Sequence, residues 1–209
     1  MPDVFKWVFA VAIGYCLGNF QTGIMIGKLF GNVDIRHMGS NNAGTTNVLR
    51  TLGWKPSLLT FLGDAVKGLI GSMIGYLLCG TYGAYAGGIA VIIGHNWPAF
   101  YGFHGGKGIA TSFGVILFVH PWVALILLGS QIVIVAMTKY MSIASMFCAM
   151  LFGFIVMFLR WGDWIEICMA FMVGVLAIYS HQANIKRLLS GTENKLDFAK
   201  INKLSRKRQ

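Results

Sequence analysis

The stretch SLLTFLGDAVKGLIGSMIGYLL at residues 57–78 is long and apolar enough to cross a lipid bilayer as one helix. A transmembrane helix needs about 20 predominantly apolar residues. Two further stretches, at 7–27 and 161–180, have the same character. Of the 209 residues, 56% are hydrophobic and only 11% are charged, whereas soluble domains carry about 25% charged residues. We therefore predict an all-α integral membrane protein with a single domain over 1–209.

The remaining apolar runs predict four more spans, which brings the total to seven. They cover 81–94, 109–119, 121–138 and 143–159. The long run is divided at His120-Pro121 because proline lacks a backbone donor and clashes with the preceding helical turn. Seven spans also agree with the positive-inside rule, since all of the 17 Lys and Arg residues except Lys6, Lys67 and Arg160 then share one side. This places the N-terminus outside and the C-terminus in the cytoplasm.

Three polar segments stand between the spans and predict a site for phosphate. They read GSNNAGTTNVLR at 39–50, GHNWPAFYGFHGGKG at 94–108 and HQANIKRLLSG at 181–191. Glycine lets backbone N–H groups approach an anion closely, and a nearby Arg or Lys supplies the opposing charge. Because several spans are short, the Gly-rich loop at 94–108 is predicted to dip into the membrane, where non-helical backbone requires a polar cavity. We expect this pocket near the cytoplasmic face.

The first two segments each have a simpler interpretation. Asn and Ser are common turn and capping residues, so GSNNAGTTN could only cap a helix that starts near Thr46. A cap needs one such residue, however, whereas a phosphate needs several donors, and Arg50 can fork two phosphate oxygens. HGGKG at 104–108 does not fit the P-loop pattern. Its Lys107 could serve topology alone, but the surrounding glycines favour an anion site.

Two other places supply candidate polar side chains: Ser142 and Ser145 in TKYMSIAS at 138–145, and His181 with Asn184 on one helical face. Taken alone, the serines are typical of packing positions in membrane helices, and the histidine of an interfacial residue. Asp64 and Lys67, three residues apart within a span, are interpreted as a structural ion pair.

Several classes of site are not expected. His95 and His104 have no accompanying carboxylate or cysteine, so we predict neither a metal nor a cofactor. The basic segment at 192–209 is interpreted as a solvated cytoplasmic tail near anionic lipid rather than a nucleic-acid site. The polar segments contain no carboxylate except Glu193, which follows the last of them. This favours chemistry performed by cations, N–H donors and orientation on an activated substrate.

The polar segments together resemble a known family. GSNNAGTTN resembles the GSGNxGATN signature of the acyl-phosphate-dependent glycerol-3-phosphate acyltransferases, the PlsY family. GHNWPAFYGFHGGKGIAT is similar to its GHxxPxFxxFxGGKGVAT, KYMSIAS to its RYxSLxS, and HQANIKRLLSGTENK to its HxxNIxRLLxGxExK. The four motifs occur in order over nearly the whole chain. Asn41 and Thr45 depart from the family pattern, which usually has Gly and Ala there.

The resemblance implies a multi-pass enzyme of the bacterial inner membrane whose active site faces the cytoplasm. Such an enzyme moves a fatty acyl group from acyl-phosphate to the 1-hydroxyl of glycerol 3-phosphate and yields lysophosphatidate and phosphate. The implied catalytic residues are Ser40, Arg50, Lys107, Ser145, His181 and Asn184. The expected substrate-binding residues are Asn42, Thr46, Asn47, Ser142 and three glycines that would supply backbone donors, Gly105, Gly106 and Gly108.

In this interpretation Lys107 and Ser40 hold one phosphate, and Arg50, His181 and Asn184 hold the other. Which substrate each group holds stays open, as does whether His181 or a substrate phosphate takes the hydroxyl proton. The expected partners are the two substrates, membrane lipid and a soluble acyl-phosphate synthase that would dock on the basic tail.

The main alternative function is a transporter of phosphate or a phosphorylated metabolite. Polar segments clustered on one side of the membrane disfavour it. A structural subunit would leave the Gly-rich loops unexplained.

Overall fold

The structure, a computed structural model, describes residues 2–206 and is all-helical over that range. The helices are α1 (Pro2–Gly18), α2 (Thr22–Gly31), α3 (Thr45–Leu52), α4 (Trp54–Asn96), α5 (Ile109–Val119), α6 (Pro121–Thr138), α7 (Met141–Leu159), α8 (Trp164–Ser180), α9 (Gln182–Leu189) and α10 (Phe198–Arg206). Short 3₁₀ turns lie at Ile35–His37 and Ala99–Tyr101. Within the described range, four helical stretches are long and apolar enough to cross a membrane, or five if the bent pair α8–α9 is one span.

The longest helix, α4, is interrupted near its middle and folds back on itself. Gly80 leaves the helical conformation with φ +66°. Small residues let the two halves touch on either side of this break, and a Cβ added to Gly75 would lie only 2.0 Å from the carbonyl oxygen of Gly83. Close backbone approach of this kind drives helix association in lipid, where burying apolar side chains gives little advantage. The predicted runs 57–78 and 81–94 therefore form two antiparallel helices.

The α4 hairpin is the centre of the bundle. α1 packs on its second half so closely that a Cβ at Gly18 would lie 2.7 Å from the Cα atom of Gly94. α5 packs on its first half, where a Cβ at Gly114 would lie 1.8 Å from the carbonyl oxygen of Ala65. α7 and α8 complete an apolar core around the fully buried Phe152. The short helix α5 is thus held by backbone contact with α4.

The predicted helix boundaries agree well with the structure after α4. α5 and α6 have the predicted bounds, and His120 between them is non-helical with φ −142°. The first predicted span, 7–27, lies within a stretch that can cross a membrane, Asp3–Gly31, but it is not one continuous helix, because α1 ends at Gly18 and α2 begins at Thr22. Gln21 explains the break, since its buried Nε2 donates to the carbonyl oxygens of Gly18 at 3.2 Å and His95 at 3.1 Å. The side-chain amide thus bonds a carbonyl group at the end of α1 and ties this break to the end of α4.

A cluster of polar side chains, in which a carboxylate is paired with basic groups, lies at the end of the bundle where α5 meets α6. Glu166 is only 2% exposed and accepts a hydrogen bond from the Tyr85 hydroxyl at 3.2 Å. The same carboxylate lies 3.0 Å from His120 Nε2 and 3.4 Å from Arg160 Nε. These contacts hold the α5–α6 turn against α8.

The C-terminal segment departs from the solvated tail that the sequence predicts. Leu196 and Ile201 are buried, with 3% and 2% exposure, and α10 packs against α3 and the start of α4. Trp54 fixes this contact by donating from its indole Nε1 to Asn202 Oδ1 at 3.1 Å and from its backbone N–H to Ser205 Oγ at 3.1 Å. The segment is therefore partly packed rather than freely solvated, and its remainder, 207–209, lies outside the described residues.

The backbone contact inside α4 predicts a position-specific intolerance to size. We expect Gly75→Leu to lower stability by about 1–3 kcal/mol or more, because the added side chain must displace the facing helix half. Gly129→Leu in α6 is the matched control, since nothing lies within 4 Å of a Cβ added there. Thermal unfolding of both variants in detergent micelles measures the difference. Equal melting temperatures would show that the α4 hairpin does not depend on this contact.

Candidate active site

A cavity of about 390 Å³ lies where α3, α9, α10 and the Gly-rich loops meet. Every predicted site residue except Gly105 and Gly106 lines it. The predicted residues on its wall are Ser40, Asn42, Thr46, Asn47, Arg50, Lys107, Gly108, Ser142, Ser145, His181 and Asn184. Apolar side chains from α4, α6 and α7 complete the wall, including Phe61, Leu128, Ile132, Val135 and Met141. The cavity therefore suits a ligand with both a polar and an apolar part.

Asn47 organises the first polar loop. Its Nδ2 group lies within 2.8–2.9 Å of three loop carbonyl oxygens, those of Ile35, Met38 and Asn42. Its Oδ1 atom accepts the backbone N–H of Ser40 at 2.8 Å. Because these bonds use the whole amide, Asn47 shapes the loop rather than presenting a free group to a ligand.

The two departures from the family pattern have different consequences. Asn41 adopts φ +55°, a left-handed conformation that Gly prefers and that Asn tolerates better than most residues. The Gly-to-Asn change therefore suits the backbone conformation of this position. Thr45 adds a hydroxyl to the cavity wall, and its buried Oγ1 has no hydrogen-bond partner within the described residues.

Two helices begin at the cavity. The first residues of α3 and of α5, Thr45 and Ile109, both line it. Helix N-termini carry unpaired N–H groups and a partial positive charge, which favour anions. Asn42 links the two loops by accepting the N–H of Gly44 at 3.0 Å and donating to the Gly105 carbonyl oxygen at 3.4 Å.

Gly105 and Gly106 play a different part from the predicted one. Their N–H groups donate within the loop, to the carbonyl oxygens of Asn96 at 3.3 Å and His95 at 3.1 Å. Both glycines pack against His95, since a Cβ at Gly106 would lie 2.0 Å from its ring Nε2 atom. Their small size lets the loop close, and the N–H groups of Lys107 and Gly108, which have no acceptor within residues 2–206, are the ones left for a ligand.

Two cations of the cavity are largely buried and keep unused donors. Lys107 Nζ donates to Asn184 Oδ1, and burial together with repulsion from Arg187 lowers the Lys107 pKa from 10.5 to about 8. Arg50 Nη2 donates to the carbonyl oxygen of Asn194 at 2.9 Å, whereas its buried Nε has no partner within the described residues. Burial also lowers the Arg50 pKa. Among the described residues no carboxylate bonds directly to either cation, so both can gain from an anionic ligand.

The structure places two carboxylates on the cavity wall that the sequence analysis did not expect there, Asp64 and Glu193. Glu193 is 8% exposed and accepts from Ser142 Oγ at 2.9 Å, Asn184 Nδ2 at 2.7 Å and Arg187 Nε at 2.8 Å. Burial opposes its ionisation, but these hydrogen bonds lower the Glu193 pKa overall. Its acceptor atoms are engaged, so Glu193 positions Asn184 and thereby Lys107. Glu193 matches the Glu of the family motif HxxNIxRLLxGxExK, and this match was the sequence evidence for a role in the site.

His181 and Ser145 present complementary groups. His181 Nδ1 lies 2.7 Å from the Ala177 carbonyl oxygen, which can only accept, so this nitrogen carries the hydrogen and a neutral ring leaves Nε2 as an acceptor. Ser145 Oγ accepts from Gln131 Nε2 at 3.1 Å, which leaves its O–H free to donate. Gln131 was missed by the sequence analysis, although a glutamine within the apolar run 121–138 was a signal of a polar partner.

Comparison with known proteins now identifies the family. Residues 8–191 match the family model described as glycerol-3-phosphate acyltransferase. The chain belongs to this family. It is 44% identical over 189 residues to the glycerol-3-phosphate acyltransferase of Alkaliphilus metalliredigens, covering 90% of this chain and 95% of that one. The family predicted from the four motifs is thus confirmed.

Two solved structures share the fold of this glycerol-3-phosphate acyltransferase family member. Both are crystal structures of PlsY (YgiH), an integral membrane glycerol 3-phosphate acyltransferase. The glycerol 3-phosphate form has a TM-score of 0.85 at 38% identity and covers 93% of this chain and 98% of that one. The lysophosphatidic acid form has a TM-score of 0.83 at 37% identity, with 93% and 97% covered. The chain is therefore an integral membrane acyltransferase of lipid biosynthesis.

The role of Asn47 predicts a loss of stability on truncation. Asn47→Ala removes the side-chain hydrogen bonds to three loop carbonyl oxygens and the acceptor of the Ser40 N–H group, which costs about 1–3 kcal/mol, or about 3–10 °C in melting temperature. Asn194→Ala is the matched control because the Asn194 side chain is exposed. Differential scanning fluorimetry in detergent compares the two. A melting temperature of Asn47→Ala equal to that of the control would refute the structural role.

Proposed function

We propose that the protein transfers a fatty acyl group from an acyl-phosphate to the 1-hydroxyl of glycerol 3-phosphate, with release of phosphate and formation of lysophosphatidate. The observation that carries the proposal is a single cavity in which Lys107 and Arg50, both with unused donors, lie beside an apolar wall. Two phosphate groups and a fatty chain would satisfy those features together. The family and the glycerol 3-phosphate and lysophosphatidic acid forms of the similar structures support the choice of substrate and product.

Each of the two substrate phosphates would bind to a different cation of the cavity. Lys107, with Ser40 and the N–H groups at the start of α5, would hold one of them, and Arg50 with Thr46 would hold the other. The sequence motifs group Asn184 with Arg50, but the Asn184 side chain bonds to Lys107. We therefore propose that Asn184 positions Lys107.

The transfer itself is an attack on an activated carbonyl. The hydroxyl oxygen of glycerol 3-phosphate forms a bond to the carbonyl carbon, and the bond between that carbon and the phosphate oxygen breaks. Ser145 would donate to the carbonyl oxygen as negative charge develops there. His181 Nε2 would accept a hydrogen bond from the attacking hydroxyl group. The proton of that hydroxyl passes to the departing phosphate. Closeness and orientation in the cavity supply the remaining acceleration.

The proposal includes seven crossings of the bacterial inner membrane, with the N-terminus outside and the cavity facing the cytoplasm. Its support is the antiparallel α4 hairpin, which divides the longest apolar stretch into two spans. With 11 residues, α5 is only about 16 Å long, so the Gly-rich loop before it lies at membrane depth. Exposed Lys200, Lys203 and Arg206 on α10 would attract a soluble acyl-phosphate synthase at the same face.

Incorporation of labelled glycerol 3-phosphate into lipid by the purified protein tests this function. We expect product with palmitoyl-phosphate and at least about 100-fold less with palmitoyl-coenzyme A, because only in the former is a phosphate bonded directly to the acyl carbon, where a cation of the cavity can hold it. Equal use of both donors would contradict the donor assignment. Absence of product, with uptake of glycerol 3-phosphate into vesicles, would favour the transporter alternative.

Removal of the Lys107 charge should abolish most of the activity. We expect Lys107→Met to lower kcat/KM by about 100-fold or more, since a charge-assisted contact is lost in a site with little water. Lys186→Met is the matched control because Lys186 is exposed on α9. Steady-state kinetics with each substrate varied in turn measures the effect. Near-normal activity of Lys107→Met would contradict the cation model.

The lowered Lys107 pKa predicts a loss of activity at alkaline pH. A lysine binds phosphate best when charged, so kcat/KM should fall about tenfold per pH unit above about pH 8. The same limb in kcat should lie at higher pH, because bound phosphate favours the charged lysine. In Lys107→Arg the limb should move beyond pH 10, since arginine stays charged there. An unchanged limb in that variant would assign the titration to another group.

A further inference from the structure

A second group of buried polar side chains lies directly behind the Gly-rich loop, and the transfer step described above does not use it. It consists of Asp64, Lys67 and His95, which are 1%, 6% and 3% exposed. Asp64 and Lys67 form the predicted ion pair, with Lys67 Nζ 2.9 Å from Asp64 Oδ1. Asp64 and His95 also line the cavity. If Asp64 and Lys67 served packing alone, the histidine that contacts them would not have to face the cavity.

The contacts of Lys67 determine which ring nitrogen of His95 carries the hydrogen. Because Asp64 supplies the opposite charge at 2.9 Å, Lys67 is an ammonium group, which can only donate. It donates to the Phe20 carbonyl oxygen at 2.6 Å and lies 2.7 Å from His95 Nδ1. That nitrogen must therefore accept. The alternative donation from Nδ1 to Asp64 would span 3.5 Å, which is too long for a strong hydrogen bond.

The hydrogen of the neutral His95 ring then lies on Nε2, at the edge that faces the loop. This edge packs against Gly106, where a Cβ would lie 2.0 Å from Nε2, and Lys107 follows immediately. Nε2 has no hydrogen-bond partner within the described residues, and because His95 lines the cavity, this N–H group is open to a ligand there. A phosphate oxygen in the cavity would give this donor the acceptor that the protein does not supply.

We propose that His95 is a substrate-binding residue that donates a hydrogen bond from Nε2 to the phosphate held by Lys107. Lys67 and Asp64 are positioning residues that fix this tautomer. The identity of the phosphate as a substrate group rests on the proposed function. His181 has the opposite tautomer, so one histidine donates to an anion and the other accepts from a hydroxyl. With one ring as a hydrogen-bond donor and the other as an acceptor, both histidines can contact the substrates in their neutral form.

Two isosteric variants separate the cavity role of His95 from a purely structural role. In His95→Gln the side-chain amide reaches the position of Nε2 and keeps a donor there, whereas in His95→Asn it reaches only the position of Nδ1. We expect kcat/KM for glycerol 3-phosphate and palmitoyl-phosphate to fall less than about tenfold in His95→Gln and about 100-fold or more in His95→Asn. A structural role through Lys67 predicts the reverse order. Activity in His95→Asn equal to or above that of His95→Gln would overturn the proposal.

A spectroscopic measurement on the wild-type protein tests the tautomer without depending on activity. In 15N-histidine spectra of the protein in detergent, the His95 signals, assigned by their loss in His95→Gln among the five histidines, should show a bare Nδ1 and a protonated Nε2. Added inorganic phosphate should shift the Nε2 signal. A protonated Nδ1, or no response to phosphate at saturating concentration, would overturn the proposal. Absence of acyl transfer by the wild type, with the phosphate response retained, would instead refute the proposed function.

Discussion

The burial of positive charge beside apolar walls is the constraint on which the whole site depends. Lys107 lies in a cavity that apolar side chains from α4, α6 and α7 close on one side, and a buried cation without partners is costly. Asn184 supplies one partner and is itself fixed by Glu193, which two further side chains bind. The arrangement holds the lysine in place without neutralising it. An anionic substrate can therefore provide the contact that the protein leaves open.

Close contact between helix backbones determines the position of the Lys107 charge. Glycines of α4 bring its two halves together, and the last turn of the second half contains His95, against which the Gly-rich loop packs. Gly105 and Gly106 let that loop lie flat against the histidine, so the position of Lys107 follows from helix packing. Asn42 and Asn47 fix the other loop, and with it Arg50 at the far end of α3. The catalytic groups thus sit on short loops supported by tightly packed helices.

Apolar runs and polar motifs were enough to predict the helices and most of the residues around the cavity. The break at Asn19–Gln21 was missed because its reason, the bonding of Gln21 to His95, is a contact across 74 residues. The helix α10 was missed because a basic composition hides its small apolar face at Ile201. The roles of Asp64 and Glu193 depend on which side chains they meet after folding. A sequence shows which residues are polar, but not which of them use their hydrogen bonds on each other.

The most direct test of the account is 31P NMR of the purified wild-type protein with palmitoyl-phosphate, with and without glycerol 3-phosphate. The account predicts that, with both substrates, the signals of phosphate and lysophosphatidate rise in equal amounts while the acyl-phosphate signal falls, and that the acyl-phosphate is stable without the acceptor. Phosphate release that does not depend on glycerol 3-phosphate, or absence of lysophosphatidate from protein shown to be folded, would contradict acyl transfer in this cavity.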